Sequence, residues 1–290
     1  MICVLAAAIV TVTVGVAMTA ADGGGPARAL SHLQPARSAP TPHATAPTVS
    51  PPALAPHTTA PAAHATAPHT AELPLRGKIV GIDPGHNGRN YTDLAYLGWQ
   101  VWNGREWESC DTTGAETNGG YAEALFNFRV AEYLRAGLIR DGARVVMTRT
   151  TNSGIGPCVD RRSAIINGSH ANVAVDIHAD AAQSWGRGFA ILEPVADGPN
   201  NMVIGSSARL GADIRAAMLA ATRMPTSNYD GSGGIKYRDN LAGLNLTKVP
   251  KVLIEVGNMQ NATDAAMLTS ATFQQQVAGA LLAAIIEFLR

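Results

Sequence analysis

Runs of β-branched and apolar residues alternate with amphipathic stretches along most of the chain after about residue 75. This alternation is typical of βαβ units and predicts strands separated by helices. Such an order favours an α/β fold, with a mostly parallel twisted sheet and helices on both of its faces. The predicted strands are 78–83, 143–148, 172–177, 188–193 and 251–256, and the predicted helices are 121–140, 160–167, 205–222 and 271–289.

The first 74 residues have a different pattern. An apolar run over 2–18 ends in small residues, so 1–21 is interpreted as a secretory signal peptide, although no Lys or Arg precedes the run. An uncleaved membrane anchor remains the alternative. Residues 22–74 are Ala, Pro, Thr and His with few large apolar side chains, which predicts a disordered linker. Residues 75–290 are enough for one α/β domain. We expect a secreted or cell-envelope monomer, in contact with membrane only if the N-terminal segment is uncleaved.

Charge and cysteine content narrow the function further. The formal net charge is zero and no basic run is present, which argues against a nucleic-acid partner. Cys3 lies in the predicted signal, and the remaining pair in an exported chain predicts a Cys110–Cys158 disulfide. Two free buried thiols are the alternative.

Two insertions interrupt the alternation of strands and helices. The first, 91–120, contains Trp99, Trp102 and Trp107 and an Asn103-Gly104 pair, which predicts a β-hairpin. Its tryptophans either stack on sugar rings or anchor the insertion to the domain. The second, 225–250, is Gly-rich and polar and is interpreted as a mobile substrate loop.

Three predicted strands are followed by side chains that suit hydrolytic chemistry. His86 follows the first strand and a Pro-Gly turn, His178 ends the third, and Glu255 lies at the end of the last. In an α/β sheet the carboxyl ends of the strands meet at one crevice. Two histidines and a carboxylate, with one open position, form a hydrolytic zinc site. We therefore expect a zinc site at the carboxyl ends of the strands.

The third zinc ligand is expected to be a carboxylate on a neighbouring element. Glu123, in the first turn of a predicted helix, can point toward the crevice, whereas Glu116 is expected in a loop. Glu132 lies deep in the helix and is expected to be solvated or ion-paired. Glu255 is then free to act as general base, since burial raises a carboxyl pKa. The remaining histidine of the domain, His170, is interpreted as a surface-loop residue.

An ordered set of motifs supports this interpretation. The motifs are Gly81-Ile82-Asp83-Pro84-Gly85-His86, Glu123 with Asn127, Arg162 with Asn167, Ile177-His178-Ala179-Asp180 and Ile254-Glu255-Val256-Gly257-Asn258. With them the chain resembles, over essentially all of 78–290, the zinc-dependent N-acetylmuramoyl-L-alanine amidases, which cut bacterial peptidoglycan. The tryptophan insertion with its cysteines most resembles secreted mycobacterial and other actinobacterial members. Two positions differ from the commoner pattern: Asp176 stands where serine is usual and Asn258 where an aromatic residue is usual.

The resemblance implies Zn²⁺ bound by His86, Glu123 and His178, with Glu255 as the catalytic carboxylate. The implied reaction is hydrolysis of the amide bond between N-acetylmuramic acid and L-alanine in peptidoglycan or its fragments. Candidates for contacts with substrate carboxylates or carbonyls are Asn127, Lys236 and Arg238. A zinc peptidase that trims the stem peptide, or a cell-wall binding module without catalysis, would share many of these features.

Overall fold

The computed structural model describes residues 72–290. The predicted signal peptide and all but the last three residues of the predicted linker lie outside this range. Within the range the chain forms strands β1 Ile79–Pro84, β2 Gln100–Trp102, β3 Trp107–Ser109, β4 Arg144–Met147, β5 Val173–Asp180, β6 Ala190–Pro194, β7 Ile235–Arg238 and β8 Lys251–Asn258. The α-helices are α1 Leu94–Leu97, α2 Glu123–Arg140, α3 Val159–Gly168, α4 Ile204–Ala221, α5 Ala242–Asn245, α6 Ala262–Leu268 and α7 Ala271–Phe288.

A six-stranded sheet in the order β4-β1-β5-β8-β6-β7 forms the centre of the domain. All neighbouring pairs are parallel except β6 and β8, so the prediction of a mostly parallel sheet is confirmed. The antiparallel pair has a simple cause. A parallel return requires a long crossover connection, usually a helix. The connection from β5 to β6, residues 181–189, contains no helix.

The two faces of the sheet differ in chemistry. Alternate residues of β1, β5 and β8, such as Val80, Val175 and Ile254, pack into the main apolar core with α2, α4 and α7. The intervening residues face α3 and α5, where Leu253 joins a smaller apolar cluster. Because side chains alternate along a strand, Asp83, Asp176, His178, Lys251 and Glu255 all lie on this second face.

The first insertion forms the predicted hairpin. Strands β2 and β3 pair in antiparallel register around a turn at residues 103–106. The Asn103 side chain accepts hydrogen bonds from the backbone N–H groups of Arg105 and Glu106, each at 2.9 Å. Gly104 has a φ of +104°, a conformation that glycine adopts without steric cost.

The tryptophans do not anchor this insertion to the core, and that interpretation was wrong. Trp99, Trp102 and Trp107 are between 46 and 69 % exposed. The hairpin is held instead by the Cys110–Cys158 disulfide, which confirms the predicted pairing. A Glu108 carboxylate oxygen also accepts a hydrogen bond from the backbone N–H of Ala242 at 2.9 Å.

The second insertion is more regular than the sequence indicates. It contains β7, which extends the sheet beyond β6, and the short helix α5. The interpretation of 225–250 as a single mobile loop was therefore wrong. None of the helices formed by residues 72–290 combines the length and the apolar character of a transmembrane span.

The disulfide closes a loop between residues 48 positions apart. In the chain-entropy model such a cross-link contributes about 4 kcal/mol to stability. We predict that the Cys110→Ala/Cys158→Ala double variant unfolds at lower urea concentration, with a loss of roughly 4 kcal/mol in the free energy of unfolding. Dithiothreitol should have a similar effect on the wild type and none on the variant; an equal response of both proteins would contradict the prediction.

Candidate metal centre

The turn after β1 places His86 close to β5. Gly85 permits this approach, because a Cβ atom at that position would lie 2.2 Å from the imidazole ring of His178. His86 itself has a φ of +56°, which is uncommon for a residue with a side chain. The Pro84-Gly85-His86 turn therefore bends the chain so that the two imidazoles face each other, with ring centroids 4.8 Å apart.

The three predicted ligands converge on one point. Nε2 of His86 lies 3.2 Å from Oε2 of Glu123, and Nδ1 of His178 lies 2.9 Å from Oε1 of the same carboxylate. One ligand atom from each of these residues lies within 4.8 Å of the others. The spacing and the donor types suit one metal ion, which could be held by all three side chains.

Each imidazole has a carboxylate at its other nitrogen. Nδ1 of His86 lies 2.9 Å from Oδ1 of Asp111, and Nε2 of His178 lies 3.4 Å from Oδ1 of Asp176. Metal-binding histidines commonly use their second nitrogen in this way, because the carboxylate fixes the ring orientation and tautomer. Sequence reasoning missed Asp111. The one feature of the sequence that could have pointed to Asp111 is its position directly after Cys110, whose disulfide fixes this segment.

Backbone groups fix the carboxylate between the histidines. Glu123 begins α2, and its oxygens accept hydrogen bonds from the N–H groups of Ala115 at 2.7 Å and Ala179 at 3.2 Å. The amide of Asn127, one helical turn later, donates to Oε1 of Glu123 at 3.2 Å and to the carbonyl of Gly85 at 3.1 Å. Asn127 is fully buried. It therefore holds Glu123 and the turn, and its interpretation as a substrate contact was wrong.

Beneath the histidines lies a buried group of charges. Nζ of Lys251 lies 2.7 Å from Asp83 and 3.0 Å from Asp176, and the Arg162 guanidinium lies 2.9 Å from Asp83. Burial opposes ionisation of Asp83, but Lys251 and Arg162 outweigh it and hold the pKa of Asp83 far below its usual value. Burial likewise opposes protonation of Lys251, but Asp176 and Asp83 raise its pKa. These groups therefore stay charged.

The buried group of charges connects the two histidines. Arg162 donates to the backbone carbonyl of His86 at 2.9 Å and lies 3.5 Å from the Asp111 carboxylate. At the other end, Asp176 contacts both Lys251 and His178. One chain of alternating charges thus runs from the carboxylate beside His86, through the floor of the site, to the carboxylate beside His178.

The pKa shifts show an excess of negative charge around the imidazoles. Burial opposes protonation of His86, but Glu123 and Asp111 raise its pKa to about 9. Burial also opposes protonation of His178, whose pKa is raised well above its usual value by Asp176 and Glu123. Burial opposes ionisation of Glu123, but His86 and His178 hold its pKa well below the usual range. A site that draws protons onto its histidines is also favourable for a cation.

Glu255 lies beside this centre but outside the ligand group. It is the cross-strand partner of His178, and its buried Oε2 atom has no hydrogen-bond partner among the described residues. Burial raises the pKa of Glu255 to about 8, with a further upward contribution from Glu123 and an opposing one from His178. A carboxylate with a pKa near neutrality and an unpaired oxygen suits a general base.

Two cavities meet at the centre. One, of about 310 Å³, is lined by His86, Glu123, His178 and Glu255 together with Thr112 and Asp180 and the small residues beside them. The other, of about 270 Å³, shares His86, His178 and Glu255 and extends between β3, α5 and the end of β7. The surface of this cavity is mainly apolar, although Glu108, Arg238 and members of the buried group of charges also line it. The candidate metal centre thus lies where a polar and an apolar cavity join.

The other sequence candidates are not among the side chains that converge at the centre. Arg238 lines the 270 Å³ cavity, whereas Lys236 forms an ion pair with Asp230 and lines neither cavity. Glu132 and His170 are exposed, as predicted. Glu116 is also exposed and lies in the loop before α2, so it does not compete with Glu123.

Comparison with known proteins identifies the family. The family described as N-acetylmuramoyl-L-alanine amidase (Amidase_3) matches residues 80–287. The chain belongs to this family. It is 38 % identical over 216 residues to the N-acetylmuramoyl-L-alanine amidase Rv3717 of Mycobacterium tuberculosis, covering 74 % of this chain and 88 % of that protein.

Solved structures agree with this membership. The amidase Ami1 of Mycobacterium smegmatis matches with a TM-score of 0.70 and 38 % identity, over 74 % of this chain and 98 % of that one. The apo form of Ami1 from Mycobacterium abscessus matches with a TM-score of 0.70 and 39 % identity, over 74 % of this chain and 100 % of that one. The α/β fold predicted from the sequence is therefore also that of solved amidases.

The buried charges generate a stability prediction for this amidase-family domain. Lys251→Met leaves the carboxylates of Asp83 and Asp176 without their shared ammonium, and we expect a loss of about 3–5 kcal/mol in the free energy of unfolding. Adding Asp176→Ser removes one unpaired carboxylate and should recover part of that loss. Lys248→Met, at an exposed lysine, is the matched control and should change stability by less than about 0.5 kcal/mol. Equal effects of the two lysine variants in urea denaturation would contradict the prediction.

The raised pKa of Glu255 generates a pH prediction for the protein in chelator. Between its ordinary value of 4.5 and about 8, the folded protein retains a proton that the unfolded chain has released. The wild type therefore loses stability as pH rises through this window. Glu255→Gln removes this dependence, so its stability relative to the wild type should increase from pH 5 to pH 8, by at most about 1.4 kcal/mol per pH unit. Parallel stability–pH curves for the two proteins would show that Glu255 titrates normally.

Proposed function

We propose that this protein is a zinc-dependent N-acetylmuramoyl-L-alanine amidase that hydrolyses the amide bond between N-acetylmuramic acid and L-alanine in peptidoglycan. The observation that carries the proposal is the convergence of His86, Glu123 and His178, beside a Glu255 whose Oε2 atom has no hydrogen-bond partner within residues 72–290. Membership of the amidase family and the likeness to the mycobacterial amidases support the same reaction.

The proposed metal is zinc because of the donor set. Two imidazoles and one carboxylate are typical of catalytic zinc, with one coordination position left for the reaction. The Asp111 carboxylate, hydrogen-bonded to Nδ1 of His86, orients that ring. The Asp176 carboxylate lies 3.4 Å from Nε2 of His178 and adds negative charge beside the second ring. When bound, zinc supplies Lewis-acid activation of water and of the amide carbonyl.

The proton transfers are assigned to Glu255. Its carboxylate accepts the proton of the attacking water and then delivers a proton to the nitrogen of the departing L-alanine amine. Burial favours this role, because it raises the pKa of Glu255 to about 8. In the active protein the charge of the bound cation opposes this shift.

The proposed site of action is the cell envelope. Peptidoglycan lies outside the cytoplasmic membrane, and a disulfide persists in oxidising compartments, so the Cys110–Cys158 bond supports export. The interpretation of residues 1–21 as a secretory signal remains a prediction from the sequence, as does the interpretation of the chain as a monomer.

The experiment is a turnover assay on purified muropeptides, read by mass spectrometry with and without a chelator. We predict that the wild type releases intact stem peptides and that chelation stops the reaction. Glu255→Gln should lower turnover by at least about 10³-fold while keeping one zinc per chain. His86→Ala should lose the zinc itself, whereas His170→Ala, at an exposed histidine, should keep both zinc and activity.

The alternatives give different outcomes in the same assay. Shortened stem peptides still attached to the sugar would indicate a zinc peptidase. A zinc-free wild-type protein that binds peptidoglycan without cleaving it would indicate a binding module. Full activity in Glu255→Gln, or zinc retention in His86→Ala, would overturn the site assignment while leaving the family membership intact.

A further inference from the structure

The outer face of the β2–β3 hairpin has no function in the reaction described so far. Because directly paired residues of an antiparallel ladder point to the same side, the pairs Trp102–Trp107 and Gln100–Ser109 share one face. All four of these residues are exposed. Val101 and Glu108 pair on the opposite face, which is turned toward the domain. We call the four outward residues the Trp face.

The Trp face consists of two aromatic rings beside two polar side chains. The rings of Trp102 and Trp107 are in an edge-to-face arrangement with centroids 5.6 Å apart. They remain 46 and 65 % exposed, respectively. Gln100 and Ser109 contribute an amide and a hydroxyl. Each lies two residues from the tryptophan on its own strand, a separation of about 7 Å. Soluble domains seldom expose large aromatic side chains together unless the surface is used.

The hairpin is fixed at three points, so the Trp face has a defined position. The Cys110–Cys158 disulfide holds its base, directly after Ser109. In the middle of strand β3, Glu108 accepts a hydrogen bond from the backbone N–H of Ala242. At the turn, the Arg105 guanidinium lies 3.2 Å from Asp197 and 3.0 Å from Asp239. A surface held in this way binds a ligand with little loss of its own conformational entropy.

The Trp face is also continuous with the metal centre. Glu108 and Ser109, at the base of the hairpin, line the 270 Å³ cavity that His86, His178 and Glu255 also line. A polymer whose reacting bond lies at the metal centre can therefore continue along the hairpin from Ser109 toward Trp107. This continuity indicates that the occupant is a further part of the same substrate.

We propose that the Trp face of the β2–β3 hairpin binds the glycan strand of peptidoglycan next to the muramyl unit whose amide bond is cut. Pyranose rings present flat C–H faces that stack on indole rings, and their hydroxyl and acetamido groups match the Gln100 amide and the Ser109 hydroxyl. The proposal rests on the proposed function, because only a peptidoglycan substrate brings a glycan to this edge of the site.

The other occupants fit the observations less well. An anionic membrane surface requires clustered basic residues, but Arg105 is paired with Asp197 and Asp239, and the neighbouring Glu106 is acidic. A second copy of the chain requires about 800 Å² from each partner. The exposed parts of Trp102 and Trp107 supply roughly 250–300 Å². A neutral polysaccharide requires neither clustered basic residues nor a large contact area, so it is the ligand that suits this face.

Binding is measured in the full chain carrying Glu255→Gln, so that the ligand is not consumed. The probes are insoluble peptidoglycan sedimented with the protein, and chitotetraose titrated by calorimetry, which does not depend on the tryptophans that the variants remove. We predict that Trp102→Ala/Trp107→Ala weakens binding to both probes by about tenfold or more, in the range expected for loss of aromatic stacking. Trp102→Phe/Trp107→Phe keeps two ring faces and should retain most of the binding to peptidoglycan.

A matched control and a kinetic measurement complete the test. Tyr133→Ala removes an exposed aromatic side chain from α2, outside the Trp face, and should bind peptidoglycan as well as its parent. With an active Glu255, the ratio of kcat/KM on polymeric peptidoglycan to that on a single muramyl dipeptide should fall about tenfold in Trp102→Ala/Trp107→Ala. A thermal melt of each variant distinguishes this change from loss of folding.

Several results would overturn the proposal. Unchanged sedimentation and an unchanged kinetic ratio in Trp102→Ala/Trp107→Ala would show that the glycan does not contact this face. Sedimentation with phosphatidylglycerol vesicles that depends on the two tryptophans, or a dimer that dissociates in this variant, would assign the face to a membrane or to a second copy. Failure of the amidase assay with glycan binding intact would refute the proposed reaction alone.

Discussion

The site depends on one buried ion group, in which Lys251 lies between Asp83 and Asp176 and Arg162 lies beside Asp83. Four charged side chains below the histidines are costly to bury, and mutual pairing offsets that cost. The pairing also has a geometric result. It links the neighbouring strands β1, β5 and β8 on one face of the sheet, and it contacts both imidazoles through Asp111 and Asp176. The positions of the proposed metal ligands therefore follow from the packing of charges beneath them.

Much of this arrangement could be predicted from the sequence, because the residues that follow each predicted strand can be identified there. Residues such as His178 and Glu255 follow buried β-branched runs, and parallel strands bring their ends together whatever the length of the intervening chain. The strand order was not needed for that inference. The register then makes His178 and Glu255 direct cross-strand partners, which explains why a proposed ligand and the proposed general base line the same cavities.

Other features depend on contacts that no local pattern contains. Asp111 lies in an irregular segment, and its contact with His86 exists only once the hairpin is docked and its disulfide formed. Lys251 is the first residue of β8, a position where a lysine is commonly solvated. Its side chain is nevertheless only 1 % exposed, because Asp83 and Asp176 pair with its ammonium group. The antiparallel direction of β6 and the existence of β7 were also missed. A four-residue strand among glycines carries too little periodicity to be recognised.

The turn at Gly85 and His86 has a consequence for protein engineering. The His86 backbone adopts a left-handed conformation, and Gly85 leaves space for a ring from another strand. Transplanting only the two imidazoles and the carboxylate onto a foreign β-sheet would omit the left-handed backbone and the space at the glycine. The grafted rings would then not meet. The smallest transferable unit is the bent peptide together with its neighbouring strand, so a designer would have to move backbone as well as donor atoms.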